Sequence, residues 1–259
     1  MERDDLTNGL ICALELPVYE ALEPHLIHHD FARGEVFYEP GDMIDHVYFP
    51  HRGVIALLSV MDDGSAIETS TVGRESAVGL LAGMAPLQSF SRVVGQSGGT
   101  LSRLPAARLR ALAASRPKLR DVILRHCDAM LAHAQQSVAC NALHGVEERF
   151  CRWLLTCHDR MEGDELAATQ EMLAAMLGVQ RTTVTQVAGM LQDAGLIRYQ
   201  RGKVLVLDRG GLEARACECY CAVRRHAEEV LPETAEDGPC VPLSSASPHG
   251  AGELGAARG

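Results

Sequence analysis

The 259-residue chain has no run approaching the roughly 18 consecutive apolar residues that a membrane-spanning helix needs. Its first ten residues, MERDDLTNGL, are acidic and polar, unlike the basic and then apolar start of a secretory leader. These two absences predict a cytoplasmic protein with no membrane partner. Cations are also scarce: 24 Lys and Arg stand against 34 Asp and Glu, a formal net charge of −10. That balance repels polyanions and argues at first sight against nucleic acid. The nine cysteines (12, 127, 140, 151, 157, 217, 219, 221 and 240) contain no C-x-x-C pair, so a structural zinc site is not expected and no metal is assigned. Without a leader they read as reduced thiols, mostly small core residues. Cys217, Cys219 and Cys221 form the one cluster. On an unbroken helix Cys217 and Cys221 share a face and Cys219 does not, so the three cannot chelate one ion without distortion. Packing is the simpler role, with thiol redox sensing as the alternative.

What the chain does have is order along its length. Its size allows two modest domains, and 47% hydrophobic with 22% charged residues is ordinary for globular proteins. After a short helical lead-in over 1–24, residues 25–104 carry alternating and β-branched runs with frequent glycines. Arg52-Gly53 breaks one run, and Asp62-Asp63-Gly64 is a hairpin signal. Many short strands of this kind suggest a roll or barrel. Pro105 opens a helical stretch and Pro117 restarts the chain. Residues 118–143 then run as one helix without Gly or Pro. It has two apolar stripes: Leu124, Cys127, Leu131, Ala134 and Val138 on one side, and Leu119, Val122, Ile123 and Met130 on the other. A helix apolar on two sides needs two partners. The roll supplies one, and the same helix of a second chain, in a coiled-coil pair, supplies the other.

Gly145 marks a break, and residues 146–160 form an amphipathic helix with Phe150, Trp153, Leu154 and Cys157 inward. The stretch TQEMLAAMLGVQRTTVTQVAGMLQDAGLI at 169–197 follows. Thr169 is a good N-cap. Met172, Leu173, Met176 and Leu177 share a buried face, and Gly178 supplies the left-handed residue that ends the first helix. The second helix buries Val184, Val187, Met190 and Leu191. Gln180, Arg181, Thr182, Thr185 and Gln186 are left exposed on its N-terminal half, the part of a recognition helix that meets base edges. Arg can grip guanine, Gln can pair with adenine, and Thr can touch a thymine methyl or a phosphate. A strand pair turning at Arg201-Gly202-Lys203 places Arg198, Arg201 and Lys203 beside it. Residues 166–209 hold five cations against three anions, a local charge of +2. Beyond about 8 Å the acid elsewhere is screened at physiological salt, so a local basic face can still win phosphate contacts. Asp208 caps a last helix over about 209–230, and the chain from Leu231 has the composition of a disordered tail.

On the motifs RGEVFYEPGD (33–42), the long helix at 118–143 and LGVQRTTVTQVAGMLQDAGLI followed by RGK, the chain resembles the Crp/Fnr family of bacterial transcription regulators along residues 25–230. The resemblance implies an α+β fold. A cyclic-nucleotide-binding-like double-stranded β-helix, or jelly roll, would occupy 1–117 and a dimerisation helix 118–145. A winged helix-turn-helix would occupy 146–230, with a disordered tail over 231–259. It implies a homodimer on a palindromic site in double-stranded DNA, with RNA polymerase as a further partner for an activator. The expected DNA contacts are Thr169, Gln170, Gln180, Arg181, Thr182, Thr185, Gln186, Arg201 and Lys203. It also implies an effector pocket in the roll, near 72–94, whose occupancy would bias the long helix and rotate the two recognition helices.

Two departures shape that expectation. Members that bind cyclic AMP carry Gly-Glu-Leu, whose Glu takes the ribose, and about ten residues later Arg-Ser/Thr-Ala, whose Arg takes the cyclic phosphate. Here the first place reads Gly79-Leu80-Leu81 and the second about Ser89-Phe90-Ser91, with Arg92 shifted. Gly79, Leu80, Ser89, Ser91 and Arg92 are the candidate pocket residues. They lack the carboxylate, so cyclic AMP is not expected to bind in the usual way and no other cofactor is implied. The family's Arg-Glu-Thr-Val-x-Arg reads Arg181-Thr182-Thr183-Val184-Thr185-Gln186, which predicts a different DNA sequence preference. The N-terminal cysteine cluster of the iron–sulfur sensors is also missing. The alternatives are a cyclic-AMP-responsive regulator, a thiol sensor on the same scaffold, or a cupin-like metalloenzyme using His25, His28, His29, His46 and His51. The last fails on spacing, because no histidine follows between 52 and 125, and the chain is not expected to be an enzyme.

Overall fold

The computed structural model describes residues 8–161 and 163–231. The tail expected over 231–259 lies, apart from Leu231, outside the described residues. The lead-in folds as α1 (Gly9–Cys12) and α2 (Leu16–Leu22). Asn8 fixes it in place. Its Oδ1 accepts from the backbone N–H of Leu10 and Ile11, and its Nδ2 donates to the carbonyls of Pro50 and Ser76. A buried amide with every bond satisfied specifies one docking of this segment on the roll.

The roll comprises β1 (Ile27–Phe31), β2 (Val36–Tyr38), β3 (His46–Arg52), β4 (Ile55–Val60), β5 (Ala66–Val72), β6 (Arg92–Gly95) and β7 (Gly99–Pro105). They form two antiparallel sheets of order β1-β7-β3 and β2-β6-β4-β5. Phe31, Tyr38, Ile55, Val72, Val78, Val93 and Leu101 fill the space between. The Asp62-Asp63-Gly64 hairpin forms as expected: Gly64 has φ +82°, and Asp63 Oδ1 accepts from Ser65 N at 2.9 Å. At Gly53 (φ +82°) the chain passes so close to Gly99 that a Cβ on Gly99 would lie 2.0 Å from the Arg52 carbonyl. Only glycine allows that crossing. Pro105, expected to open a helix, is the last residue of β7 and the N-cap of α3 (Ala106–Ser115).

The long helix α4 runs Pro117–Leu143. Leu119 and Ile123 are buried against α2, α3 and the roll, with Val122 partly so. Met130 packs against the interior of the roll. The same face carries His126 and His133, both buried. Ser76 Oγ lies 2.6 Å from His126 Nε2, which also accepts from Ala77 N at 3.3 Å. On the opposite side Leu124, Leu131 and Val138 are 51%, 56% and 71% exposed, one every seven residues. Cys127, expected with them, leans instead against the core below α4 and is only partly exposed. Ala134 is also half-buried.

The C-terminal unit comprises α5 (Val146–Asp159), β8 (Glu165–Ala167), α6 (Gln170–Leu177), α7 (Arg181–Asp193), β9 (Ile197–Gln200), β10 (Lys203–Val206), α8 (Arg209–Arg215) and α9 (Cys219–Val230). Its core gathers Phe150, Leu154, Leu173, Val184, Leu191, Ile197 and Val204, all fully buried. Each large side chain there contributes about 1.5–3 kcal/mol by leaving water. Three expectations need correction. The wing has a third strand, β8, pairing with β10 in the order β8-β10-β9. Met190 is 41% exposed, and Ala188 takes the buried place. The last helix is broken at Ala216–Glu218, where Ala216 is extended. The unit docks on the roll through polar contacts: Trp153 Nε1 donates to Glu68 Oε1 at 3.1 Å, and Arg160 Nε meets Glu75 Oε1 at 2.7 Å.

Burial holds the His126 imidazole down at about 4, and burial together with Arg160 and Arg152 holds His133 at about 3. The unfolded chain, with histidines near 6.5, therefore binds more protons below that pH, and stability falls as pH drops from about 6.5 towards 4. Glu68, raised to about 8 by burial, works in the opposite direction. The comparison must therefore be between wild type and a His126→Gln variant, which share Glu68. The variant is expected to be less stable at pH 7.5 and to lose less on acidification. Its slope should be shallower by up to about 1.4 kcal/mol per pH unit, read from urea melts between pH 7.5 and 4.5.

Candidate nucleic-acid interface

The helix pair α6–α7 is set by its ends. Thr169 Oγ1 accepts from Met172 N at 3.2 Å and caps α6. Gly178 takes the left-handed conformation, φ +61°, and closes it. Val179 N bonds back to Ala174 O, and its side chain packs on the core. This turn aims α7 outward. Gln180, Arg181, Thr182, Thr185 and Gln186 are all exposed, as their spacing requires, while Val184, Val187 and Leu191 hold the other face down. Gln180 gives α7 no side-chain cap. The positive end of the helix and its first free N–H groups therefore face outward, where a phosphate would find them. Thr185 Oγ1 donates to Arg181 O at 3.0 Å, so its hydroxyl is engaged and its methyl is the surface it offers.

Beside α7 the β9–β10 turn carries Arg201 at φ +52° and Gly202 at φ +74°. Arg198, Arg201 and Lys203 are exposed. Thr169, Gln170, Arg181 and Arg201 line one open groove of about 500 Å³, together with Glu171, Tyr199, Gln200 and Gly202. Of the nine residues expected to contact DNA, these four line the groove, while Gln180, Thr182, Thr185, Gln186 and Lys203 lie outside its lining. Glu171, Tyr199 and Gln200 were not singled out from the sequence. Two of the cations are already paired: Arg181 NH2 lies 2.6 Å from Glu171 Oε1, and Lys203 Nζ lies 2.5 Å from Glu165 Oε1. These are exposed pairs with little stabilising worth, and a phosphate or a base edge can displace the carboxylates.

The candidate effector residues behave differently. Gly79, at φ +78°, leads a 3-10 turn over Leu80–Gly83, and Leu80 is buried with Leu109 and Ile123 in the core beneath α4. Ser89 Oγ donates to Ser91 O, and Ser89 makes backbone bonds to Gly41 and Asp42. Arg92 opens β6 and pairs with Glu39, Nε to Oε2 at 2.8 Å. Leu80 is core, and the only guanidinium of the set is matched by a carboxylate, so these contacts do not make a phosphate site. The histidines tempting for a metal are dispersed as well. His28 and His51 share Ser102, His29 faces Glu35, and His46 faces Asp45. The cysteine expectation needs a larger correction. The break before α9 takes Cys217 off the helix and brings Cys217 and Cys219, not Cys221, against Cys140 of α4 and its C-cap His144. Among the described residues seven cysteines are free thiols.

Residues 148–215 match the Crp-like helix-turn-helix domain, and residues 28–116 match the cyclic nucleotide-binding domain. The chain belongs to the Crp/Fnr family. It is 29% identical over 195 residues to the transcriptional regulator SdrP of Thermus thermophilus, covering 72% of this chain and 92% of SdrP. It is 25% identical over 215 residues to the CRP-like cAMP-activated global transcriptional regulator of Mycobacterium tuberculosis, covering 80% and 96%. The structure of FixK2 from Bradyrhizobium japonicum superposes with a TM-score of 0.65 at 15% identity, over 74% of this chain and 98% of FixK2, and supports the fold. This Crp/Fnr regulator therefore pairs a DNA-binding helix-turn-helix with a cyclic-nucleotide-binding-like roll.

Arg181→Ala is expected to cost about 1–3 kcal/mol of binding to the cognate site and to relax preference at one base pair. Unchanged affinity and preference in a site-selection experiment would place the helix elsewhere. Lys203→Ala should instead weaken binding to all sequences alike and lower the steepness of the salt dependence by about one phosphate contact.

Proposed function

We propose that this regulator acts as a homodimer on a two-fold related DNA site, with one α7 in each of two successive major grooves about 34 Å apart. The observation that carries this reading is the row Leu124, Leu131, Val138. Three large aliphatic side chains at seven-residue intervals stand exposed on a helix whose other face is buried. Repeats of seven put apolar residues along one seam of a coiled coil. Pairing two α4 helices removes the row from water and relates the two DNA-reading faces by a two-fold axis. The reading is that of a cytoplasmic transcription regulator without catalysis, engaging RNA polymerase where its site allows activation. No described helix is long and apolar enough to cross a membrane.

The effector is not cyclic AMP held in the usual way. Leu80 stands where a ribose-binding carboxylate is required, and Glu39 already occupies Arg92. An anionic phosphate entering there would meet a carboxylate as well as a cation.

Leu131→Glu places like charges across the seam. It should convert the dimer to a monomer by light scattering and lower affinity for a two-fold site at least tenfold, while leaving the fold of each unit intact. A dimer that persists in this variant would sink the α4 seam. Calorimetric titration with cyclic AMP and cyclic GMP should give no heat, and no rise in melting temperature, at millimolar ligand. Clear binding would mean that a different cation serves the phosphate.

A further inference from the structure

We propose that Cys140, His144, Cys217 and Cys219 form a mononuclear zinc site that ties the C-terminal helix to the end of the long helix. The four ligand atoms lie within 4.8 Å of one another, the one such group among the described residues. Cys140 Sγ and Cys217 Sγ are 3.5 Å apart, as are Cys219 Sγ and His144 Nδ1. A tetrahedral ion with Zn–S bonds near 2.3 Å has ligand–ligand edges of about 3.7 Å, so little closure is needed. A polynuclear iron–sulfur cluster spreads its thiolates over separate irons and needs a wider set. Three sulfurs and one imidazole are the donors of a closed structural zinc site, and the three cysteines are buried, which keeps water out of the coordination shell.

The surroundings fit a metal in two independent ways. The far ring nitrogen of His144, Nε2, faces Glu218 Oε1 at 3.3 Å. That carboxylate holds the proton on Nε2 and leaves Nδ1 as a lone pair aimed at the cluster, the usual support of a zinc-bound histidine. Gln136 Nε2 donates to Cys219 Sγ at 3.0 Å, a bond suited to a thiolate. Cys140 lies in the last turn of α4, and His144 is the extended residue that caps its end. Cys217 lies in the break before α9 and Cys219 is its first residue. An ion bound here therefore spans the junction at His144–Gly145, where the long helix hands over to the DNA-binding unit. Zinc takes cysteines as thiolates, so loading releases protons and weakens as pH falls.

The test uses the full reduced chain. Zinc released to a chromogenic chelator should amount to one ion per chain. Cobalt substitution should give the strong visible bands of a tetrahedral ion with thiolate charge transfer. Cys217→Ser should abolish both the retained ion and the zinc-dependent rise in melting temperature, and Cys221→Ser, altering an exposed thiol, should change neither. Glu218→Gln, on a solvent-facing carboxylate that the fold does not need, should weaken zinc about 10- to 100-fold by freeing the His144 ring. A folded reduced chain that retains no zinc would overturn the site, as would cobalt bands that persist in Cys217→Ser. A Cys140–Cys217 disulfide as the only chemistry of the cluster would do the same.

Discussion

The two-sided helix Pro117–Leu143 is the constraint on which everything else rests. One face buries Leu119 and Ile123 and drives His126 and His133 into the roll as neutral imidazoles. Because that side is engaged, the row Leu124, Leu131, Val138 stands exposed among the described residues. Its last turn and C-cap bring Cys140 and His144 against the start of the C-terminal helix. The roll, the exposed aliphatic row and the DNA-binding unit are therefore all registered on one helix. A shift of the helix against the roll would have to break buried hydrogen bonds to Ser76 and Ala77, which makes discrete repacking more natural than continuous bending.

Electrostatics explains how an acidic chain presents a DNA-reading face. The net charge is −10, yet the groove between α6, α7 and the wing gathers Arg181 and Arg201 beside an uncapped helix N-terminus. Glu171 and Glu165 act as internal counterions to Arg181 and Lys203. Exposed pairs of this kind are weak enough to be exchanged for a phosphate or base edge, and bulk acid repels non-specific contact. Specificity then depends on α7 more than on total charge.

The sensor half keeps the roll while altering the chemistry of the place where a cyclic nucleotide would sit. Leu80 has joined the apolar floor beneath the long helix, and Arg92 is held by Glu39. The contact between the two halves includes the polar pairs Trp153–Glu68 and Arg160–Glu75 beside an apolar groove where Ala56, Leu58 and Val94 face Met172 and Met176.

Local signals made much of this legible in the sequence. The Asp-Asp-Gly hairpin, the Thr169 cap, the Gly178 stop, the long helix and the polar leading edge of α7 each depend on residues within a few positions of one another, so periodicity and turn chemistry suffice to read them. Met190 was misread because helical spacing does not say how far a buried face extends. Strand β8 was missed because three residues carry no periodic signal until β10 pairs with them. The cysteines show the boundary most clearly. Sequence spacing alone disqualified Cys217, Cys219 and Cys221 as a chelating set, on the premise of one continuous helix. The break at Ala216–Glu218 removes that premise, and Cys140 and His144 arrive from more than seventy residues away. The fold units and the exposed leading edge of α7 followed from short-range chemistry in the chain, and the family from its resemblance over three motifs. Which side chains meet at the helix junction was decided only when packing brought distant turns together, because a ligand set is a property of distances in space and not of spacing along the backbone.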